Sequence, residues 1–213
     1  MPTRQKLYHG NQTNLIVPLG LYNEHQILCS QKGLSKEVGM VIAGYEINSR
    51  NFVFTDFQKT VGGRSSGGIL GEEDSRIYAH QVILPLLQRT TRWDRVCGLD
   101  GNIAELLHLE EDKYTNIVKG KKIVGSSHTH PKDYGTDLSP TDKDKIREYM
   151  TFARKHPEIH ASNYGNIEWV VEPKHDSTQN KNKLHAVTSS GIESINLVIV
   201  PDIENMLRTE FGM

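Results

Sequence analysis

The run Ser126-Ser127-His128-Thr129-His130-Pro131, followed by Leu138-Ser139-Pro140-Thr141-Asp142, constrains this chain more than any other stretch. It calls for a strand, a turn and a helix start, in that order. Lys122 to Gly125 are apolar enough to begin a strand that delivers the histidines at its C-terminal end. Side chains alternate along a strand, so His128 and His130 project to the same side. Pro131 takes the chain out of the strand. Ser139 suits an N-cap, Pro140 the first helical position and Asp142 the third. The helix runs through Ile146, Tyr149, Met150 and Ala153 and stops near His156-Pro157, because the residue before a proline avoids helical geometry.

Two neutral imidazoles and a carboxylate make a three-ligand zinc set, with the fourth tetrahedral position left for water. Such an open set is catalytic in character, whereas structural zinc is usually closed by four protein ligands. Plainer roles compete. Histidines are common in cores and on surfaces, and the chain has 10 of them. Ser139 with Asp142 also fits a capping box, which explains both residues without chemistry. Capping and ligation are compatible if each uses one carboxylate oxygen. The Ser139 hydroxyl either caps the helix or faces an oxyanion. Zinc-activated water also needs a base. Glu37 precedes the apolar run Val38-Gly39-Met40-Val41-Ile42-Ala43-Gly44, at the mouth of a buried strand, where partial burial would raise its pKa. Glu46 is the other candidate, in a polar turn open to solvent.

His128-Thr129-His130-Pro131, then Ser139 and Asp142, resembles the JAMM motif of the MPN-domain metalloproteases, H-x-H-P followed by S-x-x-D. Glu37 to Gly44 resembles that family's upstream E-x-x-G-x-x-x-G segment. The resemblance spans about Leu34 to Pro173. It implies an α/β MPN-like domain, a mixed sheet flanked by helices, with Gly62 to Lys121 as an inserted segment. It implies His128, His130 and Asp142 as ligands of Zn²⁺, Glu37 as general acid/base and Ser139 as the oxyanion donor. It also implies a hydrolase that cuts isopeptide or peptide bonds, often after the C-terminus of ubiquitin or a ubiquitin-like protein. The loop between His130 and Ser139 is one residue longer than the family's common spacing, and Val38 stands where a cysteine often follows the glutamate. MPN-like domains also serve as scaffolds and occur in bacterial toxin systems. Scaffolds usually lose metal ligands, and here all of them are present.

At 213 residues the chain is read as one domain, residues 1–213, with extensions outside that core. Hydrophobic residues make up 36% and charged residues 24%, and mean hydropathy is −0.52. No stretch approaches the roughly 20 apolar residues that cross a bilayer, and no secretory segment is expected near the N-terminus. A net charge of −1 gives no basic field for nucleic acid. Cys29 and Cys97 form no CxxC pair and read as reduced thiols of a cytoplasmic protein.

Elsewhere, Asn51 to Lys59 favours a strand paired with the one before it. Gly62 to Gly68 reads as a flexible loop without the ending of a phosphate-binding loop. Asp74 to Arg89 looks helical, interrupted by Pro85, and Ile103 to Glu111 is read as a short helix. Asn166 to Glu172 is a strand. Asp176 to Lys183 is a polar loop, and Leu184 to Thr188 forms a hairpin with Ile192 to Val200. A short helical tail follows Pro201. Glu110-Glu111-Asp112 and Lys119 to Lys122 are placed on solvated turns, His108 on a solvated face, and His156 and His160 as cations at a helix end. Trp93 and Trp169 read as core or rim aromatics. An extended substrate tail would dock by strand addition at Phe52-Val53-Phe54 or at the glycine-serine loop.

Overall fold

The computed structural model describes residues 12–32, 37–60, 79–96, 104–110, 113–131, 133–161, 167–188 and 191–213. Its strands are β1 (Asn14–Pro18), β2 (Gly39–Asn48), β3 (Asn51–Lys59), β4 (Ala104–Glu110), β5 (Lys113–Val118), β6 (Lys122–Thr129), β7 (Ile167–Glu172), β8 (Lys181–Thr188), β9 (Gly191–Ser194) and β10 (Asn196–Val200). The helices are α1 (Leu19–Lys32), α2 (Leu84–Gln88), α3 (Arg92–Val96), α4 (Pro140–Lys155) and α5 (Ile203–Met206). This is a mixed α/β architecture, as the sequence leads one to expect. No helix among the described residues is long and apolar enough to cross a membrane.

Eight strands form one sheet in the order β10-β1-β3-β2-β6-β7-β8-β9, and β4 with β5 forms a separate two-stranded ladder. Within the sheet β1 runs parallel to β3 and β10, and β6 runs parallel to β7; the other neighbours are antiparallel. β9 and β10 stand at opposite ends of that order but are joined by Ile195 alone, so the sheet curls until its edges approach.

Both faces of the central strands are covered, which is why their sequences are continuously apolar and do not alternate. Met40 and Ile42 join Val17, Phe54, Val124 and Trp169 in a core with Leu21 and Cys29 of α1. Val41 and Ala43 face the other way, with Ile123, against Leu86 and Leu87 of α2 and Ile117 of β5. Ile203 and Met206 of α5 cover Ile16 and Val53. Ile146 and Met150 of α4 rest on Val170 of β7 and on Leu138. Burying each side chain of this size contributes roughly 1.5–3 kcal/mol, so the last contact ties the helix that carries Asp142 to the strand beside the histidines.

Several expectations need correction. Residues 104–110 are strand β4 and not a helix: the ladder Ala104↔Val118 to Glu110↔Lys113 overrides the helix preference of Ala-Glu-Leu-Leu. β8 begins at Lys181, inside the expected polar loop, which contracts to a single 3₁₀ turn, Ser177–Gln179. Ile192 to Val200 divides into two strands, because β10 leaves the hairpin to pair with β1. Pro85 lies at the start of α2, after a π-helical turn at Ala79–Ile83, where its missing N–H costs nothing. Phe52-Val53-Phe54 offers no edge for strand addition, since β3 is held between β1 and β2 and all three residues are buried.

Lys121 is the largest departure. It is 0% exposed, with Nζ 2.9 Å from Asp56 Oδ2, 3.1 Å from Asp94 Oδ2 and 2.8 Å from the Arg89 carbonyl. Thr55 Oγ1 donates to Asp94 Oδ1 at 2.7 Å, and Arg89 grips Asp56 through two nitrogens. A buried ammonium persists only where acceptors surround it, and these come from two separate stretches of chain, one at Asp56 and one at Arg89 to Asp94. Lys119 is exposed and Lys122 half-buried. Gly62 to Gly68, Cys97, Glu111 and Asp112 lie outside the described residues.

Candidate metal centre

The two sides of β6 have separate roles. Ser126 and His128 lie on one, Ser127 and Thr129 on the other. On the second side Ser127 Oγ is 3.0 Å from His25 Nε2, and the His25 ring stacks on Trp169 at 4.1 Å. Burial pushes His25 down to about 3, so it is held neutral. Thr129 fixes the end of β2: Val38 N–H donates to Thr129 Oγ1 at 2.9 Å and Thr129 N–H donates to the Val38 carbonyl at 3.0 Å. Glu37 directly precedes that paired residue and acts electrostatically on His128. His130 lies one residue past β6, anchored by its N–H to the Val171 carbonyl at 2.9 Å.

On the first side the expected ligands converge. One donor atom from each of His128, His130 and Asp142 lies within 4.8 Å of the others. His128 Nε2 and His130 Nε2 are 2.9 Å apart, and Asp142 Oδ2 is 3.4 Å from His130 Nε2 and 3.8 Å from His128 Nε2. Both histidines are buried and Asp142 is half-buried.

The remaining ring nitrogens decide what this cluster can hold. His130 Nδ1 is 3.0 Å from the Gly135 carbonyl, which can only accept, so Nδ1 carries the hydrogen. His128 Nδ1 is 2.5 Å from Glu168 Oε1, and it donates there too. In the neutral rings both Nε2 atoms are then bare lone pairs, pointed at each other and at a carboxylate oxygen. Three acceptors with no hydrogen between them call for a cation. Either a second proton on one imidazole or a metal ion shared by all three satisfies them. The electrostatics agree: burial works to lower His128, but Glu168, and then Asp142 and Glu37, more than offset it, and its pKa is raised. Asp142 resists burial through His130 and Ser139 and is held well below the usual carboxylate range.

The capping box at the start of α4 is formed as expected: Asp142 N–H donates to Ser139 Oγ at 3.1 Å and Ser139 N–H donates to Asp142 Oδ2 at 2.8 Å. One detail differs. The cap and the cluster use the same oxygen, Oδ2, and not one each. Ser139 Oγ accepts in this cap, which leaves its O–H able to donate.

Glu37 is exposed and not partly buried, since the chain has not yet entered β2. Glu46 is half-buried within β2, seven residues beyond the paired end, and takes no part. His160 is no helix-end cation: it is buried beside Ile123, and burial, then His156 and Lys122, pushes it down to about 3. His156 does close α4, through its backbone N–H to the Ala153 carbonyl. His108 falls opposite Tyr114 on β4. Glu168 is the residue that the sequence pattern missed. Its signal was a lone carboxylate inside the buried strand Ile-Glu-Trp-Val-Val, which requires a partner.

No protein-family model and no curated protein matches the chain. Among solved structures it is similar to the solution structure of protein DSY2949 from Desulfitobacterium hafniense, at 10% identity and a TM-score of 0.46, covering 87% of this chain and 92% of that one.

Proposed function

We propose that this chain is a zinc-dependent hydrolase of isopeptide or peptide bonds, built on an MPN-like fold. The observation that carries the proposal is the facing of His128 Nε2, His130 Nε2 and Asp142 Oδ2, with both Nδ1 atoms committed elsewhere. Three protein ligands leave a coordination position free, as catalytic zinc sites do. Zinc bound there supplies Lewis acidity and lowers the pKa of water from about 15.7 toward 7. The substrate class, a bond after the C-terminus of ubiquitin or a ubiquitin-like protein, is supported by the motif resemblance alone.

The chain's own residues then have defined work. Glu37, solvent-facing and within electrostatic reach of His128, takes the proton of the attacking water and returns it to the departing amine. Ser139 donates its O–H to the carbonyl oxygen as negative charge develops; removing one such donor typically costs about 10²–10³ in rate. Gly135 holds the His130 ring through its carbonyl.

The test is metal content of the purified protein, followed by cleavage of ubiquitin-like fusions. Bound zinc near one equivalent, with cleavage lowered at least about 10²-fold by Glu37→Gln and abolished by His128→Ala, supports the proposal. Full activity in both variants defeats it. A protein that takes up no zinc is instead a scaffold.

A further inference from the structure

Glu168 lies outside the ligand set but is held directly against it, through the His128 ring. It sits on β7, is 3% exposed, and its neighbours Ile167, Trp169, Val170 and Val171 are apolar and buried. A carboxylate in such a strand is costly unless each oxygen is engaged. Oε1 accepts from His128 Nδ1 at 2.5 Å, and Oε2 accepts from Ser126 Oγ. Ser126 and Glu168 are direct neighbours in the parallel β6–β7 register, so the backbone ladder sets their separation. Ser126 and His128 share one side of β6, so the two donors reach one carboxylate without a turn or loop intervening.

Three consequences follow. The hydrogen is fixed on His128 Nδ1, which leaves Nε2 bare toward His130 and Asp142. The imidazole plane is held by a group itself held at both oxygens. A carboxylate behind the imidazole adds to that of Asp142, and the two together would balance a divalent ion held there. Carboxylates behind metal-binding histidines act in this way.

We propose that Glu168, steadied by Ser126, is the positioning residue of the metal centre and sets its affinity for a divalent cation. The proposal rests on the metal reading above. The alternative role is structural, an acceptor that only satisfies two buried donors.

Glu168→Gln separates the two. Glutamine keeps the size and an oxygen for His128 Nδ1–H, and its amide can donate to Ser126 Oγ in a bond of reversed direction, while the charge is removed. Zinc affinity is measured by competition with a chromophoric chelator, the cobalt-substituted protein is examined by visible absorption, and the melting of the metal-free protein is recorded in parallel. The expected result is a 10–100-fold loss of zinc affinity with an altered cobalt spectrum, while metal-free melting changes little. Unchanged affinity in Glu168→Gln, with normal binding by the unsubstituted protein, overturns this proposal and leaves the metal reading intact. An unsubstituted protein that binds no zinc overturns both. If Glu168→Gln does not fold, Ser126→Ala decides: it leaves the carboxylate but frees Oε2, and affinity within twofold of the unsubstituted protein overturns the proposal.

Discussion

Asp142→Asn tests whether one oxygen serves both helix and metal. Oδ2 accepts the Ser139 N–H at 2.8 Å and stands 3.4 Å from His130 Nε2. Asparagine retains a side-chain oxygen for the cap, so the metal-free variant keeps α4. Losing a cap outright costs about 1 kcal/mol, and losing only the charge at a helix N-terminus costs about 0.3–1 kcal/mol. The metal-free variant is therefore less stable by about 1 kcal/mol or less. With zinc at 100 times its Kd, a one-site protein gains about 2.7 kcal/mol, which for a chain of this size raises Tm by roughly 5–10 °C. Asparagine weakens the third ligand, and the rise at the same zinc concentration should fall below about 2 °C. Differential scanning calorimetry of both proteins, with and without zinc, reads the two effects separately. An undiminished rise in Asp142→Asn would refute the reasoning and leave Asp142 a cap alone.

Two further predictions concern buried charge away from the centre. Lys121→Met leaves Asp94 and part of Asp56 buried without their cation, and removing one partner of such a pair costs about 3–5 kcal/mol; urea denaturation showing a loss below about 1 kcal/mol would mean the network relaxes. His25 and His160 are both pushed down to about 3 in the folded protein, against about 6.5 unfolded. The unfolded chain takes up protons first, so stability is full above pH 6.5 and declines toward pH 3, by about 2 kcal/mol per histidine at pH 5. His25→Gln should remove its share of the slope of unfolding free energy between pH 7 and 5, and an unchanged slope rejects the assignment.

The legible parts of this protein are those specified by short-range rules. β6 and α4 follow from alternation, a proline and a capping box within seventeen residues, Ser126 to Asp142, and the clustering of His128, His130 and Asp142 follows from them. α1 was invisible because its buried stripe contains His25, Gln26 and Ser30 beside Leu21 and Cys29. Those polar groups are satisfied by Ser127, Asn182 and Asn180, which lie far along the chain. The burial of Lys121 is hidden in the sequence for the same reason, since Asp56 and Asp94 meet it only once the sheet has formed. β4 reads as helix locally, and only its pairing with β5 makes it a strand. The exposure of Glu37 depends on where β2 begins, which its sequence neighbours do not fix.

The separate duties of the two sides of β6 make the centre depend on parity. Inserting or deleting one residue between Gly125 and His128 would send the imidazoles into the aromatic box around His25 and turn a hydroxyl toward Asp142. The composition would barely change, but the loss would equal removal of both histidines. Gly125 guards against the equivalent slip in pairing: a Cβ there would stand 2.1 Å from the Ile167 carbonyl oxygen, so the strand tolerates only a residue without one in this frame.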